Sequence, residues 1–447
     1  MGVKMKDVCR FVFSTLLIAS TSLRLSVSFS TAPWIVSNQQ KRRLYKASNN
    51  NERLRFSLSS SFLQHVKQPL IDSGSSSTNT ETKTGTRKVA RLEKFARLPV
   101  WPVWNGVLLF LLSKLFGEEM AAKIEQEGWF GGRVCPNFFR DYSETSPFIM
   151  LVHHQHSFAS WDLIRYVQRT FFPEGFPAHP HRGFITVTYV LRGGFIHRDS
   201  LGVKQRYGAE ERHGGKHTQW LMTGAGVLHE EMWDIQPPNF FVPSQQELYQ
   251  IWLNIPSRFK LDPPHVQLLG GENETPTVKV YSDDGRLQST TIVIAGEYAD
   301  QKASVATYSN VNVMHVKIPP NSTWVHALPL SYDTAVIYMR LGSAYIGTTR
   351  IPPHYTAYLD SSSGGREDIV VSTSANEGAD FIFLAGESFK EPVAAQGSMV
   401  MNTYDEINKA YADYQNGKMG VPWSHKLSDN EWKEHLKAHP SLYKASD

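Results

Sequence analysis

The sequence predicts an all-β protein built as two barrels in tandem. Three observations lead there. Apolar, β-branched and aromatic residues fall in short runs separated by turn formers, in a chain with 24 Pro and 31 Gly. Glycine turns join neighbouring runs, at Gly193-Gly194 and at Gly224-Ala225-Gly226. The hairpin TVTYVLRGGFIH (186–197) also has an echo about 150 residues later, AVIYMRLGSAYIG (335–347), as tandem copies of one unit would give. With 11 Trp, 18 Tyr and 24 Phe, the chain can fill two cores.

Residues 1–90 read as an address followed by a disordered linker. Lys4, Lys6 and Arg10 precede FVFSTLLIASTSL, an apolar run too short to span a membrane and suited to a signal peptide. Ser26-Val27-Ser28 offers small residues for cleavage before Phe29. The stretch after it is rich in Ser, Thr, Asn and Arg and poor in acid, as transit peptides are. The two parts together resemble the bipartite presequence of algae with secondary plastids. Plastid delivery is the expectation, with a plain secretory leader as the alternative.

Residues 91–128 are expected as an amphipathic helical segment, one helix over 99–126 packed on the body. Its apolar VLLFLLSKLF is far shorter than the roughly 20 residues of a span, and contact with a membrane surface is not expected. The barrels follow at 129–258 and 285–420. In the first, 185–191 is a strand that returns through 195–197, and 218–223 pairs with 227–232 across the second glycine turn. In the second, strands are expected at 291–296, 335–347, 368–373 and 380–385. Thr403 and Glu406 form a capping box for a C-terminal helix with Ile407, Ala410, Tyr411 and Tyr414 at helical spacing. Residues 421–447 read as a polar, loosely attached tail.

Charge argues against nucleic acid as a partner. Residues 1–90 hold fourteen Lys and Arg against four Asp and Glu, while the rest holds 32 against 38. The body is acidic and offers no basic face for phosphates. Cys9 and Cys135 are the two cysteines, and Cys9 lies in the leader, so no disulfide framework is available. Any metal site is therefore expected from histidine and carboxylate.

Nine of the 17 histidines fall within residues 153–229. In FPAHPHRGF, His179 and His181 are two residues apart, so an extended backbone aims both imidazoles the same way. Pro180 keeps His179 extended. His229 and Glu231 repeat that spacing beside the second glycine turn. On neighbouring strands the two pairs would converge as three nitrogens and a carboxylate, a set suited to Fe(II), Mn(II), Ni(II) or Cu(II) with positions left open. His156, in HHQH (153–156), is expected in a supporting or surface role with His153 and His154. His197, His213 and His217 are expected at the periphery.

HPHRGFITVTY, TQWLMTGAGVLHEEM, YQIWLNIPS and FLAGESFKEPVAAQGSMVMNTYDEINKAYADYQNGK closely resemble the pirins, from about residue 130 to 420. The resemblance implies two tandem cupin barrels. The N-terminal one would hold a single divalent metal, usually iron, on His179, His181, His229 and Glu231. Arg182, Gln219, His156 and His197 are the candidates for supporting or pocket positions. His326 and His354 have no H-x-H or H-x-E partner, so the second barrel is expected to hold no metal. Two departures stand out: pirins usually place glutamate where this chain has Ile185 and where it has Arg192. Ile185 would leave a polar group missing beside the metal. The family implies a quercetinase-like dioxygenase that opens the ring of a small aromatic flavonol. The alternative is a non-catalytic iron- or redox-sensing protein that binds a protein partner. A monomer is expected.

Overall fold

In the computed structural model the described residues are 85–95, 98–100, 111, 113–117, 131–139, 141–158, 160, 163–170, 173–236, 244–361 and 367–444. The leader lies outside them as far as residue 84, as does most of the helix expected over 99–126. Residues 113–116 are helical.

Each barrel is two sheets closed on one another. In the first, a seven-stranded sheet runs in the order His265–Leu269, Thr218–Met222, Phe184–Arg192, Ser244–Asn254, Phe148–Phe158, Gly131–Phe138, Leu98–Val100. Its partner has four strands, Gly175–His181, Val227–Trp233, Gly194–Asp199 and Lys204–Gly208. The second barrel repeats the plan. Seven strands run Thr277–Tyr281, Leu287–Ala295, Val311–Ile318, Ala379–Gly386, Thr334–Gly342, Tyr355–Leu359, Val89–Lys94, beside a smaller sheet that includes Thr323–Leu328 and Glu367–Ser372.

The two seven-stranded sheets face each other across one core. On Phe184–Arg192, Ile185, Val187 and Tyr189 point into that core, beside Trp220, Tyr249 and Ile251 of the first barrel and Val313, Tyr338 and Ile382 of the second. Phe184, Thr186, Thr188 and Val190 alternate onto the other face, into the first barrel. A strand buried on both faces shows a continuous apolar run rather than alternation. The pleat also answers the question raised by Ile185. Its side chain is fully buried in the inter-barrel core and turned away from His181, so the missing glutamate takes nothing from the metal side.

Three expectations are corrected at the chain ends. Residues 85–95 are neither linker nor helix. Val89–Lys94 pairs antiparallel with Tyr355–Leu359 and completes the second barrel's large sheet, with Arg91 stacked 3.7 Å over the Tyr358 ring. Leu98–Val100, where the long helix was expected to begin, pairs with the Gly131–Phe138 strand. A strand completed by partners this distant in sequence has no local signature.

At the other end, residues 394–444 leave the second barrel and cover the first. The hairpin Ala394–Gln396/Met399–Met401 and the helices Tyr404–Gln415 and Asp429–Ala438 build an apolar cluster with Leu228 and Ala178, on the outer face of the four-stranded sheet. The expected loose tail is therefore a packed helix. Trp432 is fully buried, and a second capping box, Ser428 with Glu431, starts its helix. Gly183, after the paired histidines, has φ +86, and a Cβ there would stand 2.0 Å from the Val400 carbonyl oxygen. Only glycine allows the C-terminal hairpin this close. Among the described residues, no helix is long and apolar enough to cross a membrane.

Candidate metal centre

His179 and His181 sit on the strand Gly175–His181, His229 on its antiparallel neighbour Val227–Trp233. His229 lies directly opposite His179, and Val227 opposite His181. Directly opposed residues bring their side chains to within contact, and the i, i+2 spacing adds the third ring. The centroids of His179, His181 and His229 stand 4.7, 4.5 and 4.8 Å apart, and one nitrogen of each lies within 4.8 Å of the other two.

Their surroundings leave lone pairs facing inward. His179 Nδ1 lies 2.8 Å from the Pro177 carbonyl oxygen, which can only accept. The proton is thus on Nδ1 and the lone pair on Nε2. His181 and His229 are buried, and neither ring makes a hydrogen bond through either nitrogen among the described residues. Burial, then the neighbouring imidazoles, holds both rings well below the ordinary histidine pKa. They stay neutral, the form that ligates metal. Orphaned buried nitrogens are rare in folded proteins, and here three rings each turn one nitrogen towards a common point. That donor set fits a divalent metal with open positions.

Glu231 is brought to the same barrel interior but stands outside the 4.8 Å cluster. A bulge between His229 and Glu231 breaks the simple i, i+2 geometry. Its Oε1 accepts from Tyr207 Oη at 2.7 Å and Thr188 Oγ1 at 3.2 Å, and Oε2 accepts from Gln250 Nε2 at 3.3 Å.

A family profile described as Pirin matches residues 132–253, and one described as Pirin C-terminal cupin domain matches residues 313–420. Human pirin is 34% identical over 270 residues, 58% of this chain and 83% of that protein. The chain belongs to the pirin family. Pirin-1 of Arabidopsis thaliana is 30% identical over 311 residues, 68% of this chain and 93% of that one. Among solved structures, a quercetin 2,3-dioxygenase from Acinetobacter baumannii matches with TM-score 0.57 and 26% identity, over 75% of this chain and 99% of that one. The two barrels are thus the tandem cupins of a pirin.

In this pirin the supporting candidates fall in different places. His197 is fully buried, its ring 5.5 Å from His229, with Nε2 held by Asp199 at 3.0 Å and Nδ1 without a hydrogen bond among the described residues. It is part of the site wall rather than the periphery. Gln219 faces the same interior: it lies opposite Thr188, which lies opposite Gln250, so the three form one polar row towards Glu231. His156 is set apart in an aromatic group with Trp233 (4.9 Å) and Phe158 (6.2 Å).

Arg182 is not a pocket residue. Its Nη1 donates to Asp413 of the C-terminal helix at 2.9 Å and its Nε to the Ala225 carbonyl. It follows His181 by one residue and points out of the barrel for that reason. Arg192, the other departure from the family pattern, is half-exposed, with its Nε 3.6 Å from Glu247. Sequence reasoning missed Tyr207, Thr188 and Gln250, the three groups that orient Glu231. No motif marks them, because cross-strand register alone brings them together.

Proposed function

We propose that the first barrel holds one divalent metal, iron, on His179, His181 and His229, and that the protein is a dioxygenase opening the ring of a flavonol. The observation behind this reading is the set of orphaned, neutral imidazole nitrogens converging on one point of a buried barrel. The similarity to a quercetin 2,3-dioxygenase supplies the substrate class.

When bound, the metal supplies a Lewis-acidic, redox-capable centre for a substrate that chelates through adjacent oxygens. The chain does the rest. The Glu231 carboxylate, buried in the same barrel interior, would take the proton of a flavonol hydroxyl. Thr188, Gln219 and Gln250 offer hydrogen bonds to a polar substrate edge. Trp252, 5.5 Å from His181, offers a face for an aromatic ring. The C-terminal helices keep water from the back of the sheet.

Tyr207 positions Glu231. Burial, then the Glu231 charge, holds its hydroxyl protonated, so it donates at all ordinary pH. Tyr207→Phe should slow iron-dependent oxygen uptake about 10- to 100-fold, the usual effect of losing a partner one step removed from the metal, with metal content unchanged. Uptake at saturating quercetin measures it. An unchanged rate would mean that the orientation of Glu231 does not bear on the reaction.

The reading is tested by oxygen uptake of Fe(II)-loaded protein with quercetin, with product identified by mass spectrometry. Iron-dependent uptake with a ring-opened product is expected. Retained iron without uptake would overturn the catalytic reading and favour the iron-sensing alternative.

A further inference from the structure

A second group of metal-type donors lies where the two barrels meet. Cys135, on the Gly131–Phe138 strand, stands directly opposite His153 on the Phe148–Phe158 strand. Both side chains turn towards the second barrel, where His354 enters the strand Tyr355–Leu359. One ligand atom from each of Cys135, His153 and His354 lies within 4.8 Å of the other two. Cys135 Sγ is 3.8 Å from His354 Nδ1. A tetrahedral zinc ion at ordinary bond lengths sets sulfur and nitrogen about 3.6 Å apart. Tyr338 places its hydroxyl 3.1 Å from His153 Nδ1 and 3.3 Å from His354 Nδ1, an oxygen available as fourth donor.

The support of these rings is that of metal ligands. His153 Nε2 lies 3.0 Å from Glu247 Oε1, and Arg340 binds the same carboxylate through Nε and Nη2 at 2.7 and 2.8 Å. An ionised carboxylate only accepts, so the imidazole proton is on Nε2 and the Nδ1 lone pair faces the cluster. A carboxylate behind a ligating histidine fixes tautomer and ring orientation. His354 has φ +63, a left-handed backbone that few non-glycine residues adopt. Its N–H donates to Met339 O at 2.8 Å, and its carbonyl accepts from Phe95 N at 3.2 Å. Backbone strain of this kind persists where surrounding structure enforces it. Cys135 is buried and His354 only partly so.

We propose that Cys135, His153 and His354 form a second metal site, for zinc, that clips the first barrel to the second. One sulfur and two imidazoles are the donors of zinc rather than of the oxygen-loving cations. Binding forms a zinc–thiolate bond and releases the thiol proton to solvent. This site departs from the expectation that a metal here is held by histidine and carboxylate alone. It is independent of the flavonol reading.

Cobalt(II) is the probe, because a thiolate ligand gives a near-ultraviolet sulfur-to-cobalt charge-transfer band that the three-imidazole site cannot produce. The full chain carrying Cys9→Ser leaves Cys135 as its single thiol. Titration of that metal-free protein should raise the band to saturation by two equivalents, since the first barrel takes cobalt as well, and zinc should bleach it. The band should survive an added His229→Ala. It should disappear with Cys135→Ser, and His354→Gln should weaken the cobalt affinity at least about tenfold. His354→Gln keeps the thiol and leaves the buried pair of strands intact, so it holds the test open if Cys135→Ser does not fold. Absence of a charge-transfer band in the Cys9→Ser protein, or a band of equal affinity in His354→Gln, would overturn the proposal.

Discussion

His229→Ala should strip most of the metal from the first barrel and leave both barrels folded. His229 opposes His179 and packs against His181 and His197, so its removal breaks the set at its centre. The imidazole is buried with neither nitrogen hydrogen-bonded, so its removal also relieves an unsatisfied polar group. That relief offsets part of the cavity left behind, and the metal-free stability should change by no more than about 2 kcal/mol. Metal content by mass spectrometry and a thermal melt decide the matter together. Unchanged metal content with an intact fold would remove His229 from the ligand set.

The same burial predicts how the site responds to acid. His181 and His229 have pKa values held well below the free-imidazole value of 6.5. The unfolded chain takes up protons as pH falls through 6.5, while these folded rings do not. Their contribution to stability is therefore present above that value and lost below it. Proton competition for the metal likewise sets in only below 6.5, so metal should remain bound at that pH and be released on further acidification.

Glu247→Gln should be the most damaging single change at the barrel junction, at about 3–5 kcal/mol. Burial alone would raise the pKa of Glu247, but the hydrogen bonds from His153 and Arg340 hold it far below the carboxylate range. Arg340 also binds Asp380 at 2.9 Å, Asp380 holds His315 at 3.0 Å, and Tyr189 Oη lies 2.8 Å from His315 Nδ1. One chain of charges thus crosses the interface within an apolar core. Glutamine keeps the shape but turns a neutral amide towards a buried guanidinium. Since the folded pKa is depressed, the stabilisation by Glu247 is complete above 4.5 and falls as pH drops below it. Urea denaturation should show a wide gap between wild type and Glu247→Gln at neutral pH and a narrower one in acid. An equal gap at both pH values would contradict the role given to this carboxylate.

Strand positions could be read from the letters, but the two glycine turns do not make hairpins. Phe184–Arg192 and Gly194–Asp199, like Thr218–Met222 and Val227–Trp233, lie in different sheets, because each turn carries the chain from one sheet of the barrel to the other. The paired imidazoles of His179 and His181 follow from the period of the pleat, and His229 from a second copy of the same spacing beside a glycine turn. The direction of Ile185 was also encoded in the pleat, yet which face meets the metal depends on the second barrel behind it. Glu231 shares its strand with His229, but the bulge between them and the hydroxyl of Tyr207 settle where its carboxylate goes, and both depend on cross-strand register. Val89–Lys94 reads as the end of a linker and the start of a helical segment because its partner strand, Tyr355–Leu359, lies in a distant part of the chain. The last helix is different: Ser428, Glu431 and Trp432 carried its signal, outweighed by the polar composition around them.

Anomalous diffraction at the iron edge, from crystals of iron-loaded protein, would locate the metal without reliance on activity. A single iron peak bounded by His179, His181 and His229 is the expected result. Iron absent from that point, or found only elsewhere in the molecule, would contradict the assignment of the first barrel as the metal centre.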